Sequence, residues 1–119
     1  MKSSNENKQR VGLIRLLRKS AREHDGGVWR AVSEFLEKPK RRRVAVNLSR
    51  LNRYTAEGEV VVVPGKTLST GLLNHPLTIA SFSFSSRARE KIEIAGGRCI
   101  GVEELLSENP SGKKVKVIT

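Results

Sequence analysis

The run Val60-Val61-Val62-Val63, bounded by Gly58 and Pro64, leaves little choice of local structure. Four β-branched side chains in succession are stiff at χ1, and a short apolar run closed by breakers reads as a buried strand. The segments around it settle the fold class. Upstream lie three helical patterns, and downstream come a strand at Leu77–Phe84, a helix from Ser85 or Ser86 to about Ala95, and a strand at Cys99-Ile100. A short helix at Val102–Ser107 and a final strand at Lys114–Ile118 complete the chain. Three helices followed by β…β-α-β-α-β predict an α/β fold with a small, mainly parallel sheet behind an N-terminal helical segment. Pro64-Gly65-Lys66 is expected to be a turn, and Thr67–Asn74 an irregular segment. With 119 residues and no visible linker or repeat, one domain is expected, loosely ordered over residues 1–6. Within it, residues 8–58 form a basic helical part and residues 59–119 a β/α part.

The helical patterns carry the charge. From about Lys8 to His24, Leu13, Ile14, Leu17 and Ala21 share one face, while Lys8, Arg15, Arg18, Lys19 and Arg22 share the opposite one. Glu23 is the only acid in that stretch, so the stripe has almost no internal compensation. His24-Asp25-Gly26-Gly27 breaks the helix, and a second follows with Val28 or Trp29, Val32, Phe35 and Leu36 inward. Asn47 is placed to cap a third helix, roughly Leu48 to Thr55, with Leu48, Leu51, Tyr54 and Thr55 inward and Arg50 and Arg53 outward.

Between the second and third helical patterns stands Lys38-Pro39-Lys40-Arg41-Arg42-Arg43. Crowding these cations inside a folded chain costs self-repulsion, which a dense anionic partner such as a phosphate backbone offsets. The chain as a whole carries 23 Lys and Arg against 12 acids, a formal charge of +11. Residues 1–58 hold 15 basic and 6 acidic side chains, and residues 59–119 hold 8 and 6. The first half is therefore the anion-facing half. Nucleic acid is favoured over anionic membranes and acidic proteins.

Other chemistries are poorly supplied. Pro64-Gly65-Lys66-Thr67 is similar to the end of a phosphate-binding loop, but that loop needs a glycine at position 60, which is Val60. His24, His75 and Cys99 stand at no metal-ligand spacing. Asp25, the single aspartate, lies in a glycine turn; Glu103-Glu104 suits a helix N-terminus; no Ser sits in a nucleophile elbow. An enzyme acting on RNA would have to draw on Glu103, Glu104 or His75. Neither catalysis, a cofactor, a metal nor a small-molecule substrate is expected. Phe82 and Phe84 alternate as strand residues do, which fits core burial better than a base-stacking platform. A lone Cys99 and no secretory signal point to a reducing, intracellular setting, and no apolar stretch is long enough to span a membrane.

Several motifs in order bring a family into view: Val28-Trp29-Arg30-Ala31-Val32, Leu36-Glu37-Lys38-Pro39 followed by basic residues, Val46-Asn47-Leu48-Ser49-Arg50-Leu51-Asn52-Arg53-Tyr54, and Val61-Val62-Val63-Pro64-Gly65-Lys66-Thr67-Leu68. Gly71, the Ala80–Phe84 segment with Ser85, Lys91-Ile92, and Asn109-Pro110…Gly112…Val115-Lys116-Val117-Ile118 continue the pattern. From about Leu13 onward the chain resembles the archaeal and eukaryotic large-subunit ribosomal protein eighteen family, related to bacterial large-subunit protein fifteen. Its short length is similar to the archaeal type. The resemblance implies an α/β fold, permanent residence on large-subunit rRNA in the cytoplasm, and neighbouring large-subunit proteins as further partners. Lys38, Lys40, Arg41, Arg42, Arg43, Asn47, Arg50, Arg53 and Lys66 fall on the family's basic-loop and Pro-Gly-Lys segments, and are expected rRNA contacts. Arg15, Arg18, Lys19 and Arg22 of the N-terminal stripe are expected to join them. The alternative reading is a non-ribosomal RNA-binding regulator, which needs the same charges without the ribosome.

Overall fold

A computed structural model describes residues 5–24, 27–38 and 44–119 of the chain. The helix α1 (Asn5–His24) leads into α2 (Gly27–Leu36), then β1 (Val44–Asn47), α3 (Leu48–Tyr54) and β2 (Val60–Leu68). After these come β3 (Thr78–Phe84), α4 (Ser86–Ile94), β4 (Arg98–Gly101), α5 (Val102–Glu108) and β5 (Val115–Val117). All recorded strand pairs are parallel. The expected fold class holds, and α1 starts earlier than the sequence reading had it.

β2 is the axis of the sheet. One edge pairs with β3, which in turn pairs with β4. The other edge is shared end to end by β5, beside Val60–Val62, and by β1, beside Gly65–Leu68. Both faces of the sheet are covered, which is why β2 reads as an unbroken valine run instead of an alternating one. Val62, Ala80 and Ile100 face Leu13, Leu17 and Ala21 of α1, Trp29, Val32 and Leu36 of α2, and Val102, Leu105 and Leu106 of α5. On the reverse, Val61, Val63 and Ile79 pack with Val46, Leu48 and Leu51, with Leu73 and Leu77, and with Ile92 of α4 and Ile118. Each such aliphatic side chain contributes about 1.5–3 kcal/mol on leaving water.

One sequence reading is corrected and one element is new. Val44–Asn47, to which the sequence pattern assigned no element, is a strand, because the chain following Arg43 finds an open edge of β2. Pro64-Gly65-Lys66 is not a turn but the middle of β2. Proline has no N–H to give a ladder, yet Pro64 falls between the stretches of β2 that pair with β5 and β1, where no bond is demanded on that side. Toward β3 the register shifts between Val63 and Lys66. There the buried Ser81 hydroxyl donates toward the carbonyls of Gly65 at 2.8 Å and Ser83 at 2.8 Å, and accepts from Thr67 Oγ1 at 3.0 Å. A side chain thus supplies the hydrogen bonding that the interrupted ladder lacks.

Gly65 is required by proximity. A Cβ at this position would stand 2.0 Å from the Val44 carbonyl oxygen. Glycine alone lets β1 pair so closely, and that pairing fixes Lys66 opposite Ala45.

On the other layer, fully buried Trp29 donates from Nε1 to the Asn109 carbonyl at 3.1 Å. The Asn109–Gly112 turn closes over it, with Gly112 at φ 72°. Ser20 Oγ donates to the Pro110 carbonyl at 3.1 Å, so the same turn is tied to α1.

Candidate nucleic-acid interface

The basic side chains of α1 are placed by its apolar ones. Leu13, Leu17 and Ala21 are buried against the sheet and α2, so Arg15, Lys19 and Arg22 are turned to solvent along the far side of the same helix. Among the described residues none of these three belongs to an ion pair. Arg18, one step round the helix, differs. Its guanidinium pairs with Glu37, just beyond the end of α2. A shallow cleft of about 290 Å³ between the helices is lined by Arg18, Arg22, Arg30 and the acids Glu34 and Glu37. Of the four stripe cations expected to reach rRNA, three are therefore unpaired among the described residues and one is partly neutralised.

Lys38 is exposed, its ammonium 4.6 Å from the centre of the Phe35 ring. Phe35 beneath that cation–π contact is half-buried, not fully inward as the periodicity had it. Lys40, Arg41, Arg42 and Arg43 lie outside the described residues. Arg43 immediately precedes β1, whose first residues Val44 and Ala45 pair with Gly65 and Lys66. Lys66 is the one exposed residue in the run from Val61 to Thr67, and it stands on the side of the sheet away from Val46 and Thr67.

Arg50 and Arg53 are exposed, on α3, which covers the opposite sheet face to α1 and α2. The fold therefore distributes the described candidate cations over two layers joined by β1. Asn47 occupies the residue before α3 in an extended conformation (φ −84°, ψ 157°), as a cap should, but its side chain makes no capping bond. The amide group is left for other partners. At α4, by contrast, Ser85 caps as expected, accepting from the Ala88 N–H.

Tyr54, expected to face inward, is 50% exposed. The Arg50 guanidinium lies 5.0 Å from its ring centre, and Arg50 Nε donates to the Thr119 carbonyl at 2.8 Å. Lys116 Nζ donates to the Tyr54 carbonyl at 3.3 Å and to Glu59 Oε1 at 3.1 Å. The Glu59 carboxyl is held below its ordinary range, first by the Ala56 N–H it accepts and then by Lys116. Sequence reasoning quoted Lys116 within a motif but did not single it out as a contact residue. Its signal was faint: a single lysine between two inward valines of the last strand.

Phe82 packs with the α1–α2 core and Phe84 with the opposite one, where Arg89 lies 5.0 Å over its ring. The two rings form no common stacking surface. No group of three or more His, Cys, Asp or Glu side chains that could hold a metal is found among the described residues. No helix there is long and apolar enough to cross a membrane.

Residues 1–119 match the family described as ribosomal protein 60S L18 and 50S L18e. This chain belongs to that family. Among curated relatives, the large ribosomal subunit protein eL18 of Methanothermobacter thermautotrophicus is 43% identical over 117 residues, covering 98% of this chain and 97% of the relative. The protein of the same name from Pyrobaculum aerophilum is 45% identical over 112 residues, 94% of this chain and 92% of its own. That of Methanococcus maripaludis is 42% identical over 106 residues, 89% and 88%. Membership of a ribosomal family, at nearly full length and with archaeal relatives, is what the ordered motifs implied. It also removes the reason to seek an enzyme in Glu103, Glu104 or His75.

Proposed function

We propose that the chain is a structural constituent of the large ribosomal subunit, working in the cytoplasm, where it binds and stabilises rRNA through its basic surfaces. The match of the whole chain to a family whose relatives are named as large-subunit proteins carries this reading. The geometry supports it. Arg15, Lys19 and Arg22 on one layer, Lys66 at the β1 edge, and Arg50 and Arg53 on the other layer are exposed cations on a rigid frame. Such a frame neutralises phosphates at fixed separation, and its arginines stack on bases or grip phosphates with paired hydrogen bonds. The basic run Lys38, Lys40, Arg41, Arg42 and Arg43, together with Asn47, is assigned to the same contact, and neighbouring large-subunit proteins are the remaining partners.

The assignment is tested by replacing Arg41, Arg42 and Arg43 with Ala and measuring binding to deproteinised large-subunit rRNA against excess tRNA. Weaker rRNA binding by a variant with unchanged circular dichroism is expected. Unaltered binding at physiological salt overturns the role given to this basic run. Equal affinity of the wild type for tRNA favours the non-ribosomal regulator.

A further inference from the structure

The cleft between α3 and β5 has a makeup that phosphate binding alone does not require. It has a volume of about 340 Å³ and is lined by Arg50, Tyr54, Lys116, Val117, Ile118 and Thr119. A volume of a few hundred cubic ångströms is in the range of clefts that take small flat ligands. We propose that this cleft holds an unpaired base of the bound RNA, stacked on Tyr54 beside the fixed guanidinium of Arg50. The assignment rests on the rRNA-binding reading and gives it one defined base-contacting site.

Three observations carry it. The first is the ring itself. Tyr54 belongs to a helix that fully buries Leu48 and Leu51, yet it leaves half its surface in water. With the Arg50 guanidinium over one face, the half-exposed ring offers its remaining surface to a base, and such stacking tolerates all four. The second is the immobilised cation. Arg50 spends Nε on the Thr119 carbonyl and rests against the ring, while its terminal Nη groups make no hydrogen bond among the described residues. They remain free for a base edge or its phosphate. The third is the tie between the two walls of the cleft. Lys116 Nζ donates to the last carbonyl of α3 and to Glu59, which links α3 to β5. Glu59 accepts from both the Ala56 N–H and Lys116, so its charge is already countered. Arg53, exposed on the same helix, adds a cation for the flanking backbone.

Stacking selects an unpaired base, since a base within a helix presents no free face. The partner is therefore a loop, bulge or strand end of rRNA, not a duplex.

The test uses the full chain on deproteinised large-subunit rRNA, probing base reactivity with dimethyl sulfate (A, C and G) and a carbodiimide (U and G) and the backbone with hydroxyl radicals. Wild type is expected to protect one or two unpaired bases beyond its backbone footprint. Tyr54→Ala should restore reactivity at those bases and weaken binding on the order of 10- to 100-fold, keeping the rest of the footprint and the circular dichroism. Tyr54→Phe, which keeps the ring, should behave as wild type. A Tyr54→Ala base map identical to wild type overturns the site and leaves the rRNA reading intact. Tyr54→Phe as damaging as Tyr54→Ala overturns stacking in favour of a hydroxyl contact, and cross-linking of position 54 to a neighbouring protein in assembled subunits overturns the choice of RNA. A wild type without any backbone footprint overturns the rRNA-binding reading and the site with it.

Discussion

Replacing Arg15, Lys19 and Arg22 together with Ala should flatten the salt dependence of rRNA binding by an amount the structure sets. The three lie four and three residues apart, so they share one helix face and span about 10 Å along its axis. All are exposed and, among the described residues, none has an acidic partner. Each can therefore release a full counterion from a phosphate. A neutralised phosphate contributes about 0.7–0.9 to the slope of log K against log salt, so the triple variant should lose about 2–3 units of slope. Between 50 and 200 mM salt that corresponds to a fall in affinity smaller by a factor on the order of 10–60. Arg18→Ala should change the slope less than any one of the three, because Glu37 already balances it. Glu37→Gln should steepen it by freeing Arg18. Alanine is the best helix former and no buried contact is removed, so melting should be unaffected. Titration of deproteinised large-subunit rRNA at four or five salt concentrations reads the slopes directly. A triple variant with the wild-type slope would refute the reasoning, whatever its affinity at one salt concentration.

The fold makes further predictions. Ser81→Ala should cost about 2–3 kcal/mol in urea unfolding, since it strands the Gly65 carbonyl and the Thr67 hydroxyl in the core. Adding Thr67→Val should cost less than its effect alone in an additive scheme, and strict additivity would show that the two hydroxyls do not interact. Gly65→Ala should lower the melting temperature on the order of 10 °C or more, because its Cβ meets backbone, not a movable side chain; a shift within error would place β1 further from β2. Burial pushes the Cys99 thiol above its ordinary value of 9.0. The thiol form is thus favoured in the native state: its stabilisation is complete below pH about 9 and is lost as pH rises through the raised value. Iodoacetamide should label Cys99 more slowly in the folded chain than in urea at pH 8.5, and faster labelling of the folded chain would contradict that environment.

The parts of the fold that one local pattern decides were legible in the sequence. The valine run, the Leu13–Leu17–Ala21 face, Ser85 as a helix cap and the β-α-β-α-β order each follow from neighbouring residues alone, and the structure has them. What escaped depends on residues distant in the chain. Pro64-Gly65 has the composition of a turn, and only the split between β5 and β1 along one edge of β2 makes it tolerable inside a strand. Val44–Val46 is too short to declare itself without its partner. Tyr54 sits where helical spacing would bury it, but Lys116 and Arg50 take up that flank and the ring stays half exposed. The candidate interface divides in the same way. Charge density marked its cations one by one, whereas their division between two layers, and the pairing of Arg18 with Glu37, arise from tertiary packing.

The central claim is that this chain resides on the large subunit. Sedimentation of a cell extract, following the chain through gradients at moderate and high salt, tests it most directly. The account predicts stoichiometric migration with the large subunit that persists at moderate salt. Migration with free RNA, or at the top of the gradient in moderate salt, would contradict it.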